Sequence, residues 1–197
     1  MAAESPSTSS PGAGPLAPFD PALDHFARLG LERAWALDRD ALEDAYLARS
    51  RQVHPDRHAT ADAATRRAAL EHSSAVNEAY ATLRDPVRRA EYLVKLGGID
   101  LDSSDPETGA PHPNQAFLIE MIERRDRLEE VAEAGDDALD ELRDEVEDEL
   151  DAVFSTAVAA LAPAKLDIEA AAAALVHRRY LQRFLDEIDA AAPDASD

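Results

Sequence analysis

The sequence predicts an all-α protein: an N-terminal antiparallel helical hairpin with short helices beside it, joined to a C-terminal three-helix bundle. Three features point there. The seven glycines and twelve prolines among 197 residues fall at breaks and leave between them long stretches of helix formers. Within those stretches apolar residues recur every three or four positions, most regularly at Leu139, Leu142, Val146, Leu150, Val153, Ala157 and Leu161. β-Branched runs are few and there is a single tryptophan, Trp35, so a sheet lacks its usual residues. Much of the 45% apolar content is alanine, which suits thin, closely packed helices.

In chain order, residues 1–18 are rich in Ser, Pro, Ala and Gly and lack Lys and Arg, which predicts a disordered tail rather than a targeting signal. A short helix is expected at 22–29 and a long one at 39–53, where Leu42, Ala45, Tyr46 and Val53 share a face. The tripeptide His54-Pro55-Asp56 then stops the helix and forms a tight exposed loop. A third helix covers 62–84, its stripe formed by Ala69, Val76, Ala79, Tyr80 and Leu83. Asp85-Pro86 caps and starts a fourth, ending near Leu96 with Gly97 as its stop, so 19–97 reads as one domain. Residues 98–113 have too little hydrophobicity to pack and read as a linker.

Helices at 114–134, 136–162 and 164–190, turned at Gly135 and Pro163, form the bundle, and 191–197 is a second tail. On the first of these helices Phe117, Met121, Leu128 and Val131 fall in one narrow sector that suffices for a core. Leu118, Ile119 and Ile122 fall in a second sector, shared or bordered by Glu123, Asp126 and Glu130. An apolar strip edged with acid suits a docking surface. It also suits the wide buried face of a helix touching two neighbours, and both readings stay open at this point. Phe184 sits mid-stripe with Tyr180, Leu181 and Ile188, a core position by periodicity.

The net charge of −21 is uneven: residues 1–100 hold 12 basic and 15 acidic side chains, residues 101–197 hold 8 and 26. Such acidity argues against nucleic acid and against an anionic membrane surface. It serves solubility or a salt-rich cytoplasm, or offers a docking surface to a basic partner. With no cysteine, disulfides and thiolate-bound zinc or iron–sulfur sites are excluded. No apolar run approaches the eighteen or so residues of a membrane span, so a cytoplasmic location is expected.

Chemistry-bearing constellations are sparse. His54, Asp56 and His58 alternate, but Pro55 breaks helical spacing and no fourth ligand lies nearby, so no metal site is expected. Nothing holds a nucleophile against a base and there is no phosphate-binding glycine loop, so neither an enzyme nor a cofactor is expected. As a mere helix stop the tripeptide accounts for His54 and Pro55 but leaves Asp56 idle. Arg51 and Arg57 flank it as an exposed basic pair in an acidic chain. Arg49 falls on the apolar side of its helix, where it must snorkel. His72, between Ala69 and Val76, is expected to be a satisfied core-edge residue.

These residues resemble the J-domain family: His54-Pro55-Asp56, then Asn77-Glu78-Ala79-Tyr80, Leu83-Arg84-Asp85-Pro86 and Arg89-Ala90-Glu91-Tyr92. Within it, Gly97-Gly98-Ile99 followed by Ala116-Phe117-Leu118 is similar to the HscB family, the J-domain co-chaperones of iron–sulfur cluster assembly, over about Phe19 to Asp189. The resemblance implies an N-terminal J-domain that stimulates the ATPase of a DnaK-type chaperone, HscA. It also implies a C-terminal domain that delivers the scaffold protein IscU. Carried over by position, His54, Pro55 and Asp56 trigger the chaperone; Arg51 and Arg57, as the exposed basic pair beside them, are expected to join the chaperone-binding surface. Leu118, Ile119, Ile122, Glu123, Asp126, Glu130 and Phe184 fall where the family binds IscU. Isoleucine at two of these positions and Asp126 in place of Glu depart mildly from the pattern; Arg49 stands where leucine is expected. Without cysteine pairs the chain resembles bacterial members rather than zinc-bearing eukaryotic ones. The alternatives are a general J-domain partner of DnaK and an acidic helical scaffold with a vestigial J motif.

Overall fold

The computed structural model describes residues 16–192, and all regular secondary structure among them is helical. The chain forms two compact units that divide between Asp85 and Pro86.

The first unit holds α1 (His25–Leu29), α2 (Arg39–Val53) and α3 (Ala63–Arg84). Each starts on an aspartate whose carboxylate accepts a backbone N–H three residues on: Asp24 from Ala27, Asp38 from Ala41 and Asp62 from Thr65. Phe26, Leu42, Val53, Ala69, Val76, Ala79 and Leu83 are buried and make the core. Tyr46 and Tyr80 stack with ring centroids 4.2 Å apart, and the Tyr46 hydroxyl donates to Asn77 Oδ1 at 3.1 Å. Those two contacts fix the register of α2 on α3. Arg49 is half-buried, and its Nη1 donates to Gln52 Oε1 at 3.1 Å.

The N-terminal tail expected over 1–18 lies outside the described residues as far as residue 15, but near its end Ala17 is held to the folded unit. His72 Nε2 donates to the carbonyl of Ala17 at 3.0 Å, and the Phe19 ring meets the His72 ring edge-on at 5.3 Å. The Arg28 guanidinium lies 4.8 Å over the Phe19 ring and donates to the Asp20 carbonyl at 3.0 Å. Arg28 and His72 are both buried, so two polar side chains under the segment find their partners in its backbone. The tail expected at 191–197 lies outside the described residues from 193 onward.

The second unit holds α4 (Pro86–Leu96), α5 (Gln115–Ala134), α6 (Asp136–Ala160) and α7 (Ile168–Ala191). Its core gathers Met121, Leu139, Leu142, Val146, Leu150, Leu181, Phe184 and Ile188, with Phe117, Leu128 and Val131 packed against it. α7 begins later than expected because Pro163–Lys165 makes a single 3₁₀ turn and Asp167 is the cap, accepting from the Ala170 N–H at 2.9 Å. α4, which the sequence groups with the hairpin, packs on α7 and belongs to this unit.

Residues 98–113 are not a loose linker. Leu101 is buried, and Arg179 of α7 donates to Glu91 Oε1 at 2.8 Å and to the Leu101 carbonyl and Asp102 Oδ1, each at 2.9 Å. Lys95 pairs with Asp100 at 2.8 Å, and Asp105 Oδ1 accepts the N–H groups of Glu107 and Thr108 at 2.9 Å. One buried leucine suffices because the polar groups of the turns satisfy one another. At the end of α4 the backbone passes so close to α7 that a Cβ on Gly97 would stand 2.8 Å from both γ-carbons of Ile168.

Candidate partner-docking sites

In the first unit, α2 ends at fully buried Val53, and His54 leaves the helix in extended conformation (φ −60°, ψ 128°) because Pro55 disfavours the helical one. Pro55–His58 then forms one 3₁₀ turn. His54 Nδ1 accepts the Asp56 N–H at 3.3 Å, and the His54 carbonyl accepts the Arg57 N–H at 3.0 Å. With Nδ1 an acceptor, the neutral ring carries its proton on Nε2. Beneath the turn His58 is buried, its Nε2 bonded to the Gln52 carbonyl at 3.2 Å, which ties the turn to the last turn of α2.

The backbone of the tripeptide is thus pinned from both sides while its side chains face out. The His54 side chain is 52% exposed and that of Asp56 91%, the carboxylate lying 3.7 Å from His54 Nδ1. Pro55 is half-buried, and Arg51 and Arg57 are exposed. An exposed carboxylate on a fixed turn, close to surface arginines, offers acceptor and donors to a partner with complementary charges. His58, which from sequence alone suggested only an unconvincing metal ligand, is the residue that sequence reasoning missed. Its buried position has no periodic signal inside a loop.

In the second unit, α5 starts at Asn114, whose side chain accepts the Phe117 N–H at 2.9 Å. Met121 is buried and points to the core; the far side carries Leu118, Ile119 and Ile122 at 39%, 47% and 58% exposure. Glu123, Asp126 and Glu130 are exposed. Six of the seven expected scaffold-binding residues therefore lie on one open face of α5. Phe184 does not. It is fully buried among the core residues of the bundle, so the expectation that it touches a partner is corrected: Tyr180, Leu181 and Ile188 carry it inward with their stripe.

Arginines fasten α5 to its neighbours. Arg124 Nη2 meets Glu120 of its own helix at 2.6 Å and Glu149 of α6 at 2.7 Å; Arg127 meets Glu145 of α6 at 2.8 Å; Arg125 makes a two-pronged bond to Glu187 of α7 at 2.8 and 2.9 Å. The hydrogen bonds from Arg127 and Arg125 hold the carboxyls of Glu145 and Glu187 below the ordinary glutamate value.

Known proteins share both sites' surroundings. The model of the DnaJ domain matches residues 24–92, and that of the HSCB C-terminal oligomerisation domain matches residues 113–189. A co-chaperone protein HscB homolog of Bordetella petrii is 38% identical over 177 residues, which covers 86% of this chain and 96% of that one. The chain belongs to the HscB co-chaperone family. Two solved HscB structures share the fold. The human co-chaperone protein HscB is 27% identical with a TM-score of 0.72, over 94% of this chain and 92% of that one. The chaperone HscB from Vibrio cholerae is 29% identical with a TM-score of 0.66, over 85% and 96%. The DnaJ match begins at Asp24, so the segment that His72 and Arg28 hold at Ala17–Asp20 precedes it.

Proposed function

We propose that this HscB-family chain stimulates ATP hydrolysis by a DnaK-type chaperone, HscA, and brings to it the iron–sulfur scaffold protein IscU, assisting the maturation of iron–sulfur proteins. The observation that carries this reading is the pinned His54-Pro55-Asp56 turn, with the Asp56 carboxylate 91% exposed beside the His54 ring. A fixed turn loses little further freedom on binding, so its contacts act on the partner rather than on ordering itself. Stimulation is then a shift in the partner's conformational balance, which requires that the turn bind one state of the chaperone more tightly than the other. The chain does none of the phosphate chemistry.

The exposed Leu118, Ile119 and Ile122 strip, rimmed by Glu123, Asp126 and Glu130, supports the scaffold half of the proposal. It also favours a dedicated co-chaperone over a general partner of DnaK, which has no need of it. Any cluster is the cargo of the scaffold, since this chain has no thiolate to offer.

The test is the steady-state ATPase rate of the chaperone with and without the co-chaperone. His54→Gln or Asp56→Asn should remove the stimulation while helicity and melting temperature stay near those of the unaltered chain, because surface substitutions outside the core cost within about 0.5 kcal/mol. Undiminished stimulation by both variants would overturn the proposal.

A further inference from the structure

Of the twenty residues of α5 only Met121 is buried, against five residues of α6 and eight of α7. Apart from Met121 and the partly covered Phe117, Leu128 and Val131, charge holds this helix: Arg124 to Glu149, Arg127 to Glu145 and Arg125 to Glu187. Beside its first turns, where Phe117 stacks on His177 at 4.1 Å and meets Tyr180 edge-on at 5.6 Å, lies an open cleft of about 350 Å³ bounded by Glu120, Glu149, Val153 and Leu181. Its far end is weak by itself. Glu129, Glu130 and Glu133 crowd the negative pole of the helix, and the last turn has no basic residue. The joint to α6 is one residue, Gly135, at φ 113° and ψ 179°.

α6 and α7, in contrast, supply seven of the eight buried residues of the bundle core. We propose that α5 is a hinged docking helix, latched on the α6–α7 hairpin by its three arginines and able to lift about Gly135, so that ionic strength regulates the scaffold-docking face. This inference rests on the assignment of that face to docking. A lone helix of this length is marginal in water, so α5 loses order when it lifts. Leu118, Ile119 and Ile122 then no longer form one strip. By reciprocity a scaffold seated on the strip keeps the latch closed.

Amide hydrogen exchange on the full chain, without any partner, tests the hinge. Exposed ion pairs are each worth up to about fivefold in an equilibrium, so the three together should matter by roughly tenfold. Raising salt from about 0.05 M to about 1 M should therefore speed exchange in α5 about tenfold while α6 and α7 keep their rates. Arg125→Gln with Arg127→Gln should reproduce the effect at low salt, the unchanged protection of α6 and α7 showing that the variant is folded. Equal protection of all three helices, the same rates in α5 at both salts, or uniform loosening of the whole bundle would each overturn the hinge. The docking assignment fails separately: α5 could open with salt as expected while Leu118→Ala left scaffold binding untouched.

Discussion

Replacing Leu118 and Ile122 together by alanine separates a docking face from a packing face. The two side chains are 39% and 58% exposed, so about three-fifths of one and two-fifths of the other is already covered. Full burial of such a side chain contributes about 1.5–3 kcal/mol, which puts the stability cost of the pair at about 2 kcal/mol. Alanine is the better helix former and returns a few tenths of a kcal/mol at Ile122. For a scaffold that desolvates the strip, two central anchors account for about 2–4 kcal/mol of binding, or roughly 30- to 1,000-fold in Kd. Phe184→Ala is the control: it empties a fully buried site and should cost about 3–5 kcal/mol of stability. Urea unfolding supplies the stabilities and isothermal titration with IscU the affinities. The double variant should lose about 30-fold or more in affinity while staying folded at a stability cost near ~2 kcal/mol, whereas Phe184→Ala should lose more stability with little loss of affinity in the folded protein. A double variant that unfolds several kcal/mol early yet binds the scaffold normally while folded would refute the reasoning.

Arg51→Glu with Arg57→Glu should weaken chaperone binding, and added salt should weaken the unaltered contact over the range where the screening length falls below about 10 Å; a calorimetric Kd flat in salt contradicts this. His72→Ala should release the segment at Ala17–Asp20, seen as faster proteolytic cleavage there with α2 and α3 still protected. Acid should loosen the bundle. Glu145 and Glu187 are held below the ordinary value near 4.5 by their arginines, so their contribution is present above that pH and lost as pH falls through the lowered values. Melting temperatures taken from about pH 6 down to 3 should fall, and Glu145→Gln with Glu187→Gln should flatten the acid limb.

Wherever burial follows a period, the fold could be read from residues alone. Met121, Val146 and Phe184 are inside because their stripes put them there, and the aspartate caps at Asp38 and Asp62 sit just ahead of the helices they start. The exposed apolar side of α5 was legible for the same reason, as a second sector left over once the core had taken its own. What escaped the sequence depends on distant partners. Arg179 shows no sign, within α7, that it will gather Glu91, Asp102 and the Leu101 carbonyl, and without it 98–113 looks too polar to be held. His58 was equally opaque, since it finds a backbone carbonyl that only the folded chain brings near. His72 is the satisfied core-edge residue its helix suggested, and only its partner, the Ala17 carbonyl, was hidden. Phe184 was readable as core from its own helix and misassigned as a contact only through the resemblance.

The tight passage of Gly97 against Ile168 links the fates of two positions seventy-one residues apart. Isoleucine is branched at the β-carbon and cannot swing both γ-carbons aside, so even alanine at 97 wedges the end of α4 off the start of α7. An alanine at 168 would open that space at the modest cost of a half-buried side chain. The two changes are therefore unequal in order: a lineage can shrink 168 first and then explore 97, but the opposite path begins with the damaging step. Across descendants of this chain a side chain at 97 should be found only where 168 has already become small, a dependence that neither position would reveal alone.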